Sequence, residues 1–150
     1  MMITFAFIAQ AACTALYLAA AVLYLKFFFS VERRSGLLAS RVLLAGLVVH
    51  LAALALRIAH LGYLPIATVF DALSFAGFII GLAYVSIEKF SRDLSMGAFI
   101  APIILATQVI SLLWFAPSGD LPARYRSHWF EIHVSASMFA FASFAIAGIG

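Results

Sequence analysis

The sequence is poor in charge, cysteine and proline. Only 10% of its 150 residues are Asp, Glu, Lys or Arg, against about 25% in an ordinary soluble domain. A chain with so little charge cannot cover a water-facing surface, which excludes a soluble globular domain and a disordered tail. The single cysteine, Cys13, excludes a disulfide framework and a cysteine-based metal site within the chain. No run of basic residues is long enough to follow a nucleic-acid backbone, so we expect no nucleic-acid partner.

Hydrophobic residues make up 66% of the chain instead, and they lie in long runs. About 20 apolar residues cross a bilayer as a helix, and runs without polar alternation exclude membrane strands. We therefore predict an all-α, polytopic transmembrane helix bundle that forms a single domain over residues 1–150. Five spans are expected, over residues 1–25, 37–58, 66–87 and 94–115 and from His128 to the end of the chain.

The basic residues are distributed unevenly between the loops. Six of the nine lie in the odd-numbered loops: Lys26, Arg33, Arg34, Arg41, Lys89 and Arg92. By the positive-inside rule these loops are cytoplasmic and the N-terminus is outside. We expect only ordinary interfacial anchors on the cytoplasmic side, with Glu88 in the second of these loops and a helix break at Ser35-Gly36.

Ionisable residues near the outer face are candidates for function, because burying such groups in a membrane is unfavourable. In a helix, Trp129 (i−4) and Ser137 (i+4) share a face with His133, and a neutral imidazole is a good ligand for a metal or for haem iron. The alternative is an interfacial histidine that hydrogen-bonds a carbonyl or water. His128 points about 140° away from His133, so the two do not form a metal pair.

Five further residues are candidates for binding or for structural roles. Arg57, Arg124 and Arg126, near the outer face, could hold carboxylates such as haem propionates or could anchor the chain to lipid phosphate. His50, within the second span, is a possible internal ligand or proton-relay group, but a hydrogen-bonded bundle histidine is favoured. Asp71, at the start of the third span, is expected to pair with Arg57.

Two stretches resemble a known family. The first is an H-x6-R pattern from His50 to Arg57, followed by a G-x-x-P turn ending at Pro65 and by an aromatic–acid–x–Leu entry, Phe70-Asp71-Ala72-Leu73. The second, residues 127–134, reads S-x-W-x-x-I-H-V. Both resemble motifs of the cytochrome c assembly proteins of the CcsA (ResC) and HemX-like type, and the resemblance covers residues 43–150.

The resemblance implies a multi-pass protein of the bacterial inner (plasma) membrane with its active face toward the periplasm. It implies haem handling, in which haem b is bound transiently, exported and presented for covalent attachment to apocytochrome c. His133 would be the axial haem ligand and Trp129 part of its surround. A CcsB (ResB)-like membrane protein would be the partner, membrane lipids would surround the bundle, and the chain would form part of a cytochrome c synthase complex. Family members continue beyond the fifth helix, so we expect this chain to be the N-terminal part of a longer domain.

The sequence also departs from the family pattern. Asp71 stands where the family usually has Glu, and Tyr63 stands where many members have His. The tryptophan-rich W-G-x-x-W-x-W-D segment and the second outward histidine are absent. Two alternatives therefore remain: a HemX-like regulatory or scaffold membrane protein without catalytic activity, and a transporter fragment. The transporter would gather Asp71, His50 and Arg57 around water in mid-bundle and leave His133 peripheral.

Overall fold

The computed structural model describes residues 2–66, 68–115, 122 and 127–149. Those residues form helices and connecting turns and contain no strand, which confirms the predicted all-α class. The helices are α1 (Met2–Ser30), α2 (Arg33–Leu61), α3 (Val69–Ser91), α4 (Gly97–Leu113) and α5 (His128–Ala147).

Four of the described helices, α1, α2, α3 and α5, are long and apolar enough to cross a membrane. Helix α4 is apolar but has 17 residues, a length of about 25 Å against a hydrocarbon core of about 30 Å. It begins at Gly97 instead of Leu94, because Asp93 Oδ1 accepts a bond of 2.8 Å from the Ser95 amide and turns the chain first. The same bond holds the pKa of Asp93 below its ordinary value.

The predicted helix break at Ser35-Gly36 is wrong. Helix α2 begins at Arg33, and both residues are buried within its first turns. The Ser35 hydroxyl donates to the Glu32 carboxylate at 2.8 Å. A Cβ atom added to Gly36 would lie 3.0 Å from the Phe27 ring. This glycine therefore allows α1 and α2 to pack closely and does not end the helix.

Consecutive helices from α1 to α4 run in opposite directions. Near one end of the bundle, Tyr24 of α1 and Ser40 of α2 both contact Glu88 of α3, and Gly97 of α4 lies against Tyr24. We call this the Glu88 end, and we call the opposite end, where α3 begins, the Asp71 end. The six basic residues that the sequence assigned to the odd-numbered loops belong to the Glu88 end, but all except Arg92 lie within helices.

The core is formed mainly by α1 to α4, and α5 lies at its periphery. Helix α1 packs against α2 and α4, and α3 packs against α4, α5 and α2. The largest fully buried side chains include Tyr17, Tyr24, Tyr84, Leu43, Ile100 and Ile104. Helix α5 buries only Ala142 and Ile146, in its C-terminal part. Most side chains of α5, including those of its first turns, are therefore accessible from outside the bundle.

Candidate functional site

An ion pair lies at the Asp71 end, as the sequence predicts. Thr68 caps α3: its hydroxyl accepts from the Asp71 amide at 3.1 Å and donates to Asp71 Oδ2 at 2.8 Å. This reciprocal cap fixes the carboxylate, whose other oxygen, Oδ1, lies 2.6 Å from Arg57 Nη2. The guanidinium also lies 4.8 Å from the centroid of the Phe70 ring. The expected pairing of Arg57 with Asp71 is confirmed.

The pair is buried, and its hydrogen-bonding capacity is incompletely used. The side chain of Asp71 is 1% exposed and that of Arg57 is 15% exposed. Nη2 of Arg57 contacts Oδ1 of Asp71 directly, whereas Nε of Arg57 has no hydrogen-bond partner within the described residues. Arg57 already has a carboxylate partner in its own chain, which reduces its availability for a haem propionate.

His50 lies in a buried hydrogen-bonded chain near the middle of the bundle. Its Nδ1 is 3.0 Å from the Tyr17 hydroxyl, and its Nε2 is 2.9 Å from Ser74 Oγ. Ser74 Oγ donates its own hydrogen to Gln10 Oε1 at 3.1 Å, so it accepts from His50. This arrangement places a hydrogen on His50 Nε2, and in the neutral imidazole Nδ1 then accepts from the Tyr17 hydroxyl.

The chain of hydrogen bonds continues into α4. The Gln10 amide donates to the Gln108 side-chain oxygen, and Gln108 Nε2 donates to the Ser74 carbonyl at 3.2 Å. A Cβ atom on Gly77 would lie 2.2 Å from Gln108 Nε2, so the glycine leaves the space that this amide occupies. Both ring nitrogens of His50 are satisfied, which confirms the favoured interpretation of a hydrogen-bonded bundle histidine.

A second buried carboxylate, Glu88, was assigned from the sequence to a loop with ordinary anchors, and that assignment is wrong. Helix α3 continues to Ser91, and Glu88 is 7% exposed. The hydroxyls of Tyr24 and Tyr84 donate to Oε2 at 2.5 and 2.6 Å. The Ser40 hydroxyl donates to Oε1. Three helices thus supply hydroxyl groups to one carboxylate, one of them α3 itself.

Glu88 forms no ion pair with the part of the chain that the structure describes. Its two oxygens are stabilised by hydroxyl dipoles in place of a cation. Close approach of α4 completes the cluster, since a Cβ atom on Gly97 would lie 2.3 Å from the Tyr24 ring and 2.6 Å from the Tyr84 hydroxyl. The sequence contained one signal for this cluster: Tyr84 precedes Glu88 by four residues, which places both on one helix face.

The start of α5 is held against the segment between α2 and α3. Ser127 caps the helix by accepting from the Phe130 amide at 3.2 Å. Glu131 Oε1 accepts from the Leu64 amide at 2.9 Å. Glu131 Oε2 lies 3.5 Å from His128 Nδ1. These contacts fix the N-terminal turn of α5 at the Asp71 end, although the helix is largely exposed.

His133 lies one turn after Trp129 on α5, and both side chains are exposed, Trp129 to 83%. Ser137 shares the face but donates its hydroxyl hydrogen to the His133 carbonyl at 2.8 Å. The His133 imidazole forms no hydrogen bond or ion pair with the described residues. His128 is also exposed and adjacent to Trp129, but it lies 3.5 Å from Glu131, whereas His133 occupies the histidine position of the S-x-W-x-x-I-H-V motif.

The remaining candidates that the structure describes lie in clusters without His133. Arg124 and Arg126 fall outside the described residues. Over residues 2–66, 68–115, 122 and 127–149, no group of three or more His, Cys, Asp and Glu side chains could hold a metal ion. Asp71 and Arg57 form one cluster, whereas His50 belongs to another with Tyr17 and Ser74.

Comparison with known proteins yields no family for this chain. No family model matches it, and neither does any curated protein or any solved structure. The case for its function rests on its residues and their geometry.

Proposed function

We propose that this chain is a haem-handling protein of cytochrome c maturation in a bacterial inner membrane, with His133 as an axial ligand of transiently bound haem b. The observation that carries the proposal is an exposed imidazole one turn after an exposed indole, within S-x-W-x-x-I-H-V. A histidine ligand presented by a helix is a common way to hold haem iron. Because α5 is peripheral, a flat apolar ligand can approach His133 without opening the bundle.

The residues around His133 suit such a ligand. Trp129 and Ile132 are exposed beside it and offer apolar contact. The bond from the Leu64 amide to Glu131 makes Glu131 a positioning residue, because it fixes the turn that carries Trp129 and leads to His133. Bound haem would supply the porphyrin that is attached to the apocytochrome, whereas this chain would hold and orient it. Binding of its propionates falls to Arg124 and Arg126, since Arg57 is paired with Asp71.

The proposal includes a topology and partners. Five spans, an N-terminus outside and a periplasmic Asp71 end agree with the positive charge of the Glu88 end. The chain would be the N-terminal part of a longer domain that works with a CcsB-like protein and receives apocytochrome c. The buried ion pair and the hydrogen bonds around His50 then stabilise the bundle beneath its outer face.

A HemX-like scaffold is the second candidate. It is favoured by one observation: the ionisable groups inside the bundle, His50, Asp71 and Glu88, all have partners from their own chain. A scaffold of this kind needs no ligand at His133. It would stabilise a partner enzyme through the exposed surface of α5.

Haem content distinguishes the two candidates. The full-length protein would be purified from haem-supplied cells as wild type, His133→Ala and His128→Ala, and haem would be measured by its pyridine haemochrome. We expect His133→Ala to lose most of the haem and His128→Ala to keep it, since His128 is also exposed on α5 but points about 140° away from His133. A colourless wild type, or equal haem in both variants, would overturn the ligand assignment and favour the scaffold.

A further inference from the structure

Exposed arginines line one face of α2 at the Glu88 end. They border a surface groove of about 500 Å³, whose lining residues are Arg33, Arg34, Leu37, Leu38 and Arg41. We call these five residues the arginine face. All five are exposed. The groove therefore combines three guanidinium groups with two exposed leucine side chains.

The arginine face follows from helix periodicity. At 100° per residue, residues 33, 34, 37, 38 and 41 fall within an arc of about 140°. The buried residues of the same turns, Ser35, Gly36 and Ala39, fall on the opposite arc. Arg41 lies about 12 Å further along the axis than Arg33, so the face extends from the end of the helix into the depth of the membrane.

The nearest acid in the sequence, Glu32, supplies one negative charge against three arginines and is shared with Lys26. Glu32 lies 3.2 Å from Lys26 Nζ and accepts from the Ser35 hydroxyl at 2.8 Å. The Ser35 hydroxyl and the Lys26 ammonium hold the pKa of Glu32 below its ordinary value, and the charge of Arg34 contributes less. Within the described residues, Arg33, Arg34 and Arg41 form no ion pair.

The position of Arg33 and Arg34 adds to this unbalanced charge. Both lie in the first turn of α2, directly after the N-cap residue Glu32, whose side chain does not cap the helix. Cations are unfavourable at a helix N-terminus, where the helix dipole is already positive, and anions are favourable. An anion bound there offsets both the repulsion between the arginines and their repulsion from the dipole.

We propose that the arginine face binds the headgroup of an anionic phospholipid in the leaflet at the Glu88 end. Arg33 and Arg34 contact the phosphate, for which a guanidinium fork is well suited. Leu37 and Leu38 contact the start of an acyl chain, and Arg41 lies with its stem along the chain and its charge toward the headgroup. The exposed leucines and the end of a long apolar helix favour a lipid over a soluble acidic partner.

Lipid-dependent thermal stability tests this site. The full chain in a neutral detergent is titrated with phosphatidylglycerol or with phosphatidylcholine, and the unfolding midpoint is recorded. We expect only phosphatidylglycerol to raise the midpoint. In R33Q/R34Q the apparent affinity for phosphatidylglycerol should fall about thirtyfold, the effect of two interfacial arginines.

The matched control is K89Q/R92Q, which removes the same charge from exposed positions at the same end. It should keep the response to phosphatidylglycerol. Equal losses in both double variants, or equal stabilisation by the two lipids, would overturn the proposal. Inorganic phosphate forms a third arm: if it protects the protein as well as phosphatidylglycerol does, the site binds free phosphate and the lipid assignment is wrong.

Discussion

Helix α3 carries a buried carboxylate near each end, and the two are stabilised in opposite ways. Asp71 lies 2.6 Å from a guanidinium nitrogen of Arg57. Glu88 instead accepts hydrogen bonds from the hydroxyls of Tyr24, Tyr84 and Ser40. Charge is thus balanced by one opposite charge at the Asp71 end and by several neutral dipoles at the Glu88 end.

This difference determines how the stability of each end responds to the loss of one side chain. A buried ion pair depends on both partners, since removing one leaves an uncompensated charge in an apolar environment. Hydroxyl donors each contribute a smaller amount, and a carboxylate that loses one of three retains the other two. A single substitution should therefore lower the free energy of unfolding strongly at the Asp71 end and only moderately at the Glu88 end.

The largest effect is expected for Arg57→Gln. It leaves the Asp71 carboxylate buried without its cation and should lower the free energy of unfolding by about 3–5 kcal/mol. The exposed Arg92→Gln is the control and should change the free energy of unfolding by less than about 0.5 kcal/mol. Denaturant unfolding in detergent measures both.

The double variant R57Q/D71N sharpens the first prediction. Because it removes both charges, it should recover part of the stability that Arg57→Gln loses. If the double variant is no more stable than the single one, the charge pair does not explain the Asp71 end.

A medium effect is expected for Gly97→Ala at the Glu88 end. The new methyl group would lie 2.3 Å from the rigid Tyr24 ring, and such overpacking lowers the free energy of unfolding by about 1–3 kcal/mol. Gly62→Ser is a contrasting glycine variant, since nothing lies within 4 Å of that position but its φ is +74°. The stability lost in Gly62→Ser should come from backbone strain, and the Tyr24–Glu88 contact should stay intact. Tyrosine fluorescence or ultraviolet difference spectra should change for Gly97→Ala only.

The smallest effect is expected for Tyr24→Phe. Glu88 keeps the hydroxyls of Tyr84 and Ser40, so the free energy of unfolding should fall by about 1.5 kcal/mol, the lower end of the range for a hydrogen bond to a charged group. Ser40→Ala removes a different donor to the same carboxylate and should have an effect of similar size. A loss for Tyr24→Phe as large as that for Arg57→Gln would contradict the proposed difference between the two ends.

Sequence patterns predicted the helical class and the Arg57–Asp71 pair because long apolar runs and isolated opposite charges are local signals. They also indicated that His50 is hydrogen-bonded, but not that Tyr17 is its partner, since that contact joins residues 33 positions apart. Glu88 was missed because a charged residue after an apolar run resembles the end of a span. The burial of Glu88 becomes visible only in the assembled bundle, in which α1 and α2 bring Tyr24 and Ser40 to its carboxylate.

The proposed haem site at His133 shares no residue with either buried carboxylate. His133 was predicted from its motif, and the structure places it exposed on α5. Its supports, the Ser127 cap and the bond from Leu64 to Glu131, were not predicted. The second of these joins residues far apart in the sequence, which periodicity cannot reveal.

The most direct test of the haem assignment is rescue of a missing imidazole. His133→Gly in the full-length protein should lose the haem absorption band of the wild type, and added free imidazole should restore it, because the small molecule can occupy the vacated ligand position. Restoration would show that the band is lost because the ligand is missing and not because the helix is damaged. A band that is the same in wild type and His133→Gly, and that imidazole does not change, would contradict the assignment of His133 as the axial ligand.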